Sequence, residues 1–165
     1  VGTIKFEKNQ LFLLKAFNQI KDKINPNSNL IIVGGIESER LFKELNHFIR
    51  QNNLESRVIF EGPQSDVKKY YKNSNIFVLP SFTEGHPQVL DEALSRLRPV
   101  IVFEEISHVT RNRKGIFVCK RNYKDFEDKL NYIINNYTEI QNSMKMNKLP
   151  TKKDFLIQLK TFLLK

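Results

Sequence analysis

Ile76-Phe77-Val78-Leu79-Pro80-Ser81-Phe82-Thr83-Glu84-Gly85-His86-Pro87-Gln88-Val89-Leu90-Asp91-Glu92-Ala93 runs from an apolar strand, through a turn, into the start of a helix. The continuous apolar run Ile76–Leu79 suits a strand covered on both faces. Pro80-Ser81 ends it. Val89, Leu90, Ala93, Leu94 and Leu97 then recur at helical spacing. Pro87 falls near the helix start, where a missing N–H costs nothing, so the Gln88, Val89 and Leu90 amides are free to face an anion. Two glutamates, Glu84 and Glu92, stand eight residues apart around this turn. Amides suit a phosphate and carboxylates suit sugar hydroxyls. The plainer alternative is that both acids complement the helix dipole.

The same grammar repeats outward. Leu30–Val33 ends at Gly34-Gly35, Val58–Phe60 ends at Gly62-Pro63, and Val100–Phe103 and Ile116–Val118 complete five short apolar runs. Between them lie amphipathic stretches: Leu13, Phe17, Ile20 and Ile24; Leu41, Leu45, Phe48 and Ile49; Val67, Tyr70 and Tyr71. Strands separated by helices give βαβ units, so the expected fold is α/β, a single Rossmann-like domain with a parallel sheet flanked by helices. Ligands of such sheets sit at the carboxyl ends of the strands, which brings Gly34-Gly35, Gly62-Pro63 and Ser81–Pro87 to one edge. Tyr70 and Tyr71 read as packing residues, His47 as a structural residue on a helix, and Asp91 as a solvent-facing acid. We expect this domain to span residues 1–140, a polar linker 141–151, and an amphipathic helix 152–165 with Phe155, Leu156, Leu159, Phe162 and Leu163 as its stripe.

A chain of 165 residues with 40% apolar residues and 13 Phe can build one core. No apolar run approaches the roughly 18 residues of a membrane span, and no signal-peptide pattern opens the sequence. The lone Cys119 suits a reducing compartment, so a cytoplasmic setting is expected. Residues 1–110 carry 14 Lys/Arg against 13 Asp/Glu, whereas residues 111–165 carry 13 against 5. That basic third reads as a solvated Lys-rich face or as a contact with an anionic membrane surface, peripheral to its inner face, ahead of nucleic acid.

Ile76–Ile101 resembles the signature of group 1 (family 4) glycosyltransferases of the GT-B fold: a strand, Pro80-Ser81, Glu84-Gly85, Glu92-Ala93, then Pro99-Val100-Ile101. Val1-Gly2 to Lys8-Asn9 is similar to the family's opening strand and loop. Leu30–Gly35, Arg57–Gly62 and Lys114–Val118 are similar to three further segments. The resemblance implies the C-terminal, donor-binding half of a retaining enzyme of polysaccharide or glycolipid synthesis, a hexosyltransferase type. A nucleotide-diphospho-sugar is then a substrate, and neither cofactor nor metal is expected. It implies that Glu84 and Lys8 are catalytic. Glu84 would take sugar hydroxyls, Lys8 and Gly2-Thr3 would lie at the phosphates, and Gly85 and the His86, Pro87, Gln88, Val89, Leu90 stretch at the pyrophosphate. Glu92 would take the ribose, and Gly62, Pro63 and Gln64 would lie by the base. The partners are the donor and an N-terminal acceptor half that precedes Val1, so the isolated piece is expected to transfer little. The last helix is expected to cross back to that other half.

Three positions depart from the family pattern. Thr3 stands where an arginine is usual. Arg98 stands where a glycine is usual, at a site expected to need φ > 0. Glu104-Glu105-Ile106-Ser107-His108 replaces a glycine-rich loop. These departures motivate a non-catalytic partner as the rival reading, and a GT-B-type sugar-nucleotide epimerase is the rival among enzymes.

Overall fold

The computed structural model describes residues 1–149. The helix expected over 152–164 lies outside them. A short 3-10 turn at Phe6–Lys8 leads into α1 (Gln10–Ile20), β1 (Leu30–Val33), α2 (Glu39–Gln51), β2 (Val58–Gly62), α3 (Lys68–Asn73) and β3 (Phe77–Leu79). Then come α4 (Gln88–Leu94), β4 (Val100–Phe103), a 3-10 segment at Glu104–Thr110, β5 (Ile116–Cys119), α5 (Tyr123–Asn135) and α6 (Tyr137–Met144). Every named apolar run forms a parallel strand, and the protein is an α/β fold with its strands flanked by helices.

The helices begin where the chain supplies acceptors. Ser38 caps α2 by accepting from the Leu41 amide, and Asn122 caps α5 by accepting from Asp125. Phe17 and Ile20 of α1 and Leu45 and Ile49 of α2 are buried, as their spacing requires. Ile24 lies beyond the end of α1 and is only half-buried.

The sheet itself is divided. β1 pairs with β2, and β4 pairs with β3 on one side and β5 on the other, but among the described residues β1 and β3 do not pair. A cavity of about 820 Å³ lies between them. The core is divided in the same way. One cluster gathers β3, β4, α4 and α5 around Phe103 and Ile101; a smaller one gathers Ile32, Leu45, Ile49, Leu54 and Val58. α1 joins the two, giving Leu13, Ala16 and Ile20 to the first and Leu14 and Phe17 to the second.

Two expectations are corrected. Residues 141–144 are the last turn of α6, not linker. Buried Ile140 and Met144 anchor that helix, and Met144 lies where a side chain at Gly115 (φ 82) would sit. The left-handed residue before Pro99 is Leu97 (φ 54), not Arg98. It closes α4 with Leu97 N–H to the Leu94 carbonyl and Arg98 N–H to the Ala93 carbonyl. The Arg98 side chain instead donates to the Tyr71 and Lys72 carbonyls at the end of α3, at 2.9 and 3.0 Å, and to the Tyr137 hydroxyl. The family's usual glycine is therefore expected to harm this chain. Arg98→Gly should cost about 1.5–3 kcal/mol in urea unfolding, the range for hydrogen bonds to a charged group. An unchanged midpoint would show that these bonds contribute nothing.

Candidate functional site

Gly2, Gly34 and Gly62 line up across adjacent chain segments. The Gly2 amide donates to the Val33 carbonyl at 2.7 Å and the Gly34 amide to the Gly62 carbonyl at 2.8 Å. A Cβ at Gly34 would overlap the Gly2 carbonyl, so the two backbones meet only because residue 34 carries no side chain. This is the expected ligand-facing edge. Pro63 is exposed and Gln64 half-buried beside it, the Gln64 amide donating to the Glu61 carbonyl.

The opening loop and the loop after β3 are docked together. Phe82 N–H donates to the Glu7 carbonyl at 2.8 Å, and the Phe6 and Phe82 rings stack at 5.5 Å. Across that seam Lys8 Nζ lies 2.5 Å from Glu84 Oε1, which also accepts from Ser81 Oγ at 2.6 Å. Both charged side chains are largely covered, at 26% and 10% exposure, so the pair is better shielded from solvent than an ordinary surface ion pair. Residues 76 positions apart thus meet at the mouth of the site.

Glu92 lies in the second half of α4, facing inward. It sits close to Tyr71, whose pKa is raised mainly by burial and then by the Glu92 charge. It is also close to Val1. Lys8 and Glu84 are thus in contact, with Glu92 and the Val1-Gly2 segment nearby.

Pro87 is the N-cap of α4 rather than its first helical residue. One expected donor is also spent: Leu90 N–H bonds back to the Pro87 carbonyl at 3.0 Å, because the first turn tightens. Gln88 and Val89 are left as the first-turn amide donors. Gly85 and His86 are exposed on the loop. Thr3 brings no cation; its carbonyl accepts from Gln10 Nε2.

Three residues that the sequence left without a firm role hold this loop. Arg121 donates to the Pro80 and Ser81 carbonyls at 2.9 and 3.1 Å and grips both oxygens of Glu105. That grip holds the Glu105 carboxyl below its ordinary pKa. The guanidinium also lies 4.5 Å from the Phe82 and Phe103 ring centroids. Arg113 pairs with Asp91, which also faces His86 at 3.7 Å, so Asp91 is not a free solvent acid. His108, from the segment that replaces the glycine-rich loop, donates Nε2–H to the Glu84 carbonyl at 2.8 Å. His47 is exposed on α2 and takes no part. Burial pushes the Cys119 thiol up to about 12, which leaves it unreactive.

Arg121→Lys keeps a charge but loses the planar fork that spans Pro80, Ser81 and Glu105. It is expected to weaken binding about tenfold, roughly the loss of one charge-assisted hydrogen bond, for whichever of UDP-, GDP- or ADP-glucose the parent binds. Calorimetry checks this, and equal affinity would remove Arg121 from the site's support.

Among the described residues no helix is long and apolar enough to cross a membrane. The sequence profile of the family described as Glycosyl transferases group 1 matches residues 1–149. An uncharacterized glycosyltransferase of Haemophilus influenzae is 33% identical over 140 residues, which is 82% of this chain and 38% of that protein. The capsular polysaccharide biosynthesis glycosyltransferase CapM of Staphylococcus aureus is 32% identical over 139 residues, 82% of this chain and 36% of that protein. The chain thus spans less than two fifths of the length of these relatives. Two solved structures share the fold. Anabaena HepE, in complex with UDP and glucose, superposes with a TM-score of 0.72 at 22% identity over 87% of this chain and 40% of its own. The C-terminal domain of a Francisella tularensis group 1 glycosyl transferase, LpcC, gives 0.71 at 21% identity, covering 89% of this chain and 78% of its own. The chain belongs to the group 1 glycosyl transferases.

Proposed function

We propose that this domain binds the nucleotide-diphosphate-sugar donor of a retaining glycosyltransferase. Joined to an acceptor-binding half that precedes Val1, it would transfer a hexose in cell-surface polysaccharide or glycolipid synthesis. The observation that carries the reading is the Lys8–Glu84–Ser81 cluster at the glycine-lined strand edge, opposite Glu92 and the start of α4. Glu84 takes sugar hydroxyls. Lys8 and the Gln88 and Val89 amides take the pyrophosphate and stabilise the charge that develops on the departing nucleotide diphosphate. Glu92 takes the ribose, and Gly62, Pro63 and Gln64 the side where the base lies. The capsular role in the name of the CapM relative and the UDP and glucose held by HepE support this assignment. No metal enters the proposed mechanism. The protein is placed in the cytoplasm, with the basic residues of 111–165 meeting an anionic membrane face.

Ligand entry exchanges partners rather than creating charge from nothing. Without donor, Lys8 is engaged by Glu84. A diphosphate competes for that ammonium, and the sugar hydroxyls replace it on Glu84 as donors.

Calorimetry with UDP-, GDP- and ADP-sugars tests the site. One of them should bind the 165-residue chain, and Glu92→Ala or Lys8→Ala should weaken that binding at least tenfold, as expected for lost charge-assisted hydrogen bonds. Binding of none of these donors would favour the second reading, a non-catalytic partner. Thr3 supports that reading, since it offers no second cation for the phosphates. Vigorous transfer by the isolated chain would refute the two-half arrangement.

A further inference from the structure

Glu84 is fastened at both of its ends. Among the described residues two side chains donate to its carboxylate, Lys8 at 2.5 Å and Ser81 at 2.6 Å, and both meet Oε1. Oε2 is left open as an acceptor. The main-chain carbonyl of Glu84 is held from another element, by His108 Nε2 at 2.8 Å. A carbonyl oxygen can only accept, so Nε2 carries the proton whether the ring is neutral or charged. Where Oε2 lies therefore depends on two anchors, one on the carboxylate and one on the backbone.

The element that brings His108 is itself fixed on either side of the ring. The 3-10 segment Glu104–Thr110 follows β4 directly, and buried Ile106 and Val109 sink it into the same core cluster as Phe103. Before His108, Arg121 grips both oxygens of Glu105 at 2.6 and 3.0 Å. After it, Arg113 donates to the Val109 carbonyl at 2.8 Å and the Thr110 carbonyl at 3.3 Å, and pairs with Asp91 of α4. Arg111 (φ 46) and Asn112 (φ 56) then turn the chain in the left-handed region. Two successive non-glycine residues hold that conformation only where the surroundings impose it. His108 thus offers its proton from a firmly held backbone.

The hold matters most once a ligand arrives. On the donor reading, on which this inference rests, a diphosphate draws Lys8 away from Glu84. Ser81 and His108 then keep the residue in place. Ser81 is three positions away on the same loop and moves with it. His108 ties that loop to a different element, 24 positions on.

We propose that His108 is a positioning residue for donor-sugar recognition: it fixes the backbone of Glu84 so that Oε2 meets the sugar hydroxyls. Its effect falls on the sugar and not on the nucleotide, because the diphosphate lies at Lys8 and the first amides of α4. The segment Glu104–Thr110 thereby supports the site without touching the ligand.

Calorimetry on the 165-residue chain tests this, with UDP-, GDP- and ADP-glucose and with bare UDP, GDP and ADP. For the base that the parent binds, the quantity read is the Kd of the sugar nucleotide divided by the Kd of the bare diphosphate. His108→Leu is expected to raise that ratio about fivefold, the loss of one hydrogen bond, and to leave the Kd of the bare diphosphate within about twofold. Glu84→Ala should raise the ratio at least as much. His108→Gln, whose amide nitrogen lies as many bonds from Cα as Nε2 does, should keep the parent's ratio within about twofold. His108 is exposed, so these changes leave the core intact. Should His108→Leu fail to fold in urea titration, His108→Asn, one bond too short to reach, takes its place. A ratio raised by Glu84→Ala but not by His108→Leu overturns this inference and leaves the donor reading standing. Equal weakening of both ligands, or a Gln variant no better than Leu, also overturns it. If the parent binds none of these ligands, or Glu84→Ala leaves the ratio unchanged, the donor reading fails and this inference falls with it.

Discussion

If the proposed donor site is right, replacing Glu84 by glutamine in the full-length protein is expected to lower kcat/KM for sugar transfer by about 10²–10³-fold, the loss for one preorganised polar contact at a reacting group. The side chain keeps its shape, and the Glu84 carbonyl still accepts from His108. The carboxylate charge is lost, and one of its oxygens becomes an amide NH₂. The remaining amide oxygen can still accept from Lys8 and Ser81, as Glu84 Oε1 does now, but the NH₂ offers a donor where the second carboxylate oxygen would accept from a sugar hydroxyl. Lys8→Met in the same enzyme removes the other half of the pair. Because the residues touch, the double variant should be far less than additive. Steady-state kinetics on the two single variants and the double decide it. Activity of Glu84→Gln within threefold of the parent would sink the catalytic assignment.

Gly34→Ala should be the most damaging single-methyl change among the glycines of the site edge. The new Cβ would collide with the carbonyl of Gly2, backbone against backbone, where no side-chain rotation gives relief. The residue also sits at φ +150, which L side chains rarely adopt. Strain and overlap together predict a loss of more than about 3 kcal/mol. The contact fixes where the 1–4 segment turns towards Lys8, so donor binding should fail even where the fold survives. Gly35→Ala is the control, since a Cβ there meets nothing within 4 Å. Urea unfolding and calorimetry on both variants measure the two effects. Equal unfolding midpoints for them would show that the close approach of Gly2 and Gly34 does not matter.

The sequence announced the strands because each is a short run of mostly β-branched and aromatic residues, and β1, β2 and β3 end at Gly or Pro. The family signature singles out Glu84 and Glu92, and the position after the opening strand singles out Lys8; the fold brings Lys8 and Glu84 into contact. Nothing singles out the arginines that fix the loop. Arg121 reaches Pro80 across 41 positions and Arg113 reaches Asp91 across 22, and neither carries any local mark of its partner. Leu97 carries no sign of its αL conformation, since the family's usual glycine stands at the neighbouring position, Arg98. The end of α6 reads as linker because Asn and Gln surround the Ile140 and Met144 anchors, and its burial depends on the bare Cα of Gly115 some 29 positions earlier. The division of the sheet was invisible because a pairing partner leaves no trace in the strand it flanks.

The two core clusters have a consequence for cooperativity. Among the described residues α1 gives buried side chains to both, and Ile24 and Leu30 pack against both, so the β1–β2 unit and the β3–β5 unit are joined by these contacts and the docked loops rather than by a common sheet. Such units open at their own free energies, and a single unfolding transition is not guaranteed. A molecule that touched the Gly62 side and the Glu84 side at once would act as a strut between them. Its binding energy would then report on the coupling of two foldons as well as on the fit of a ligand.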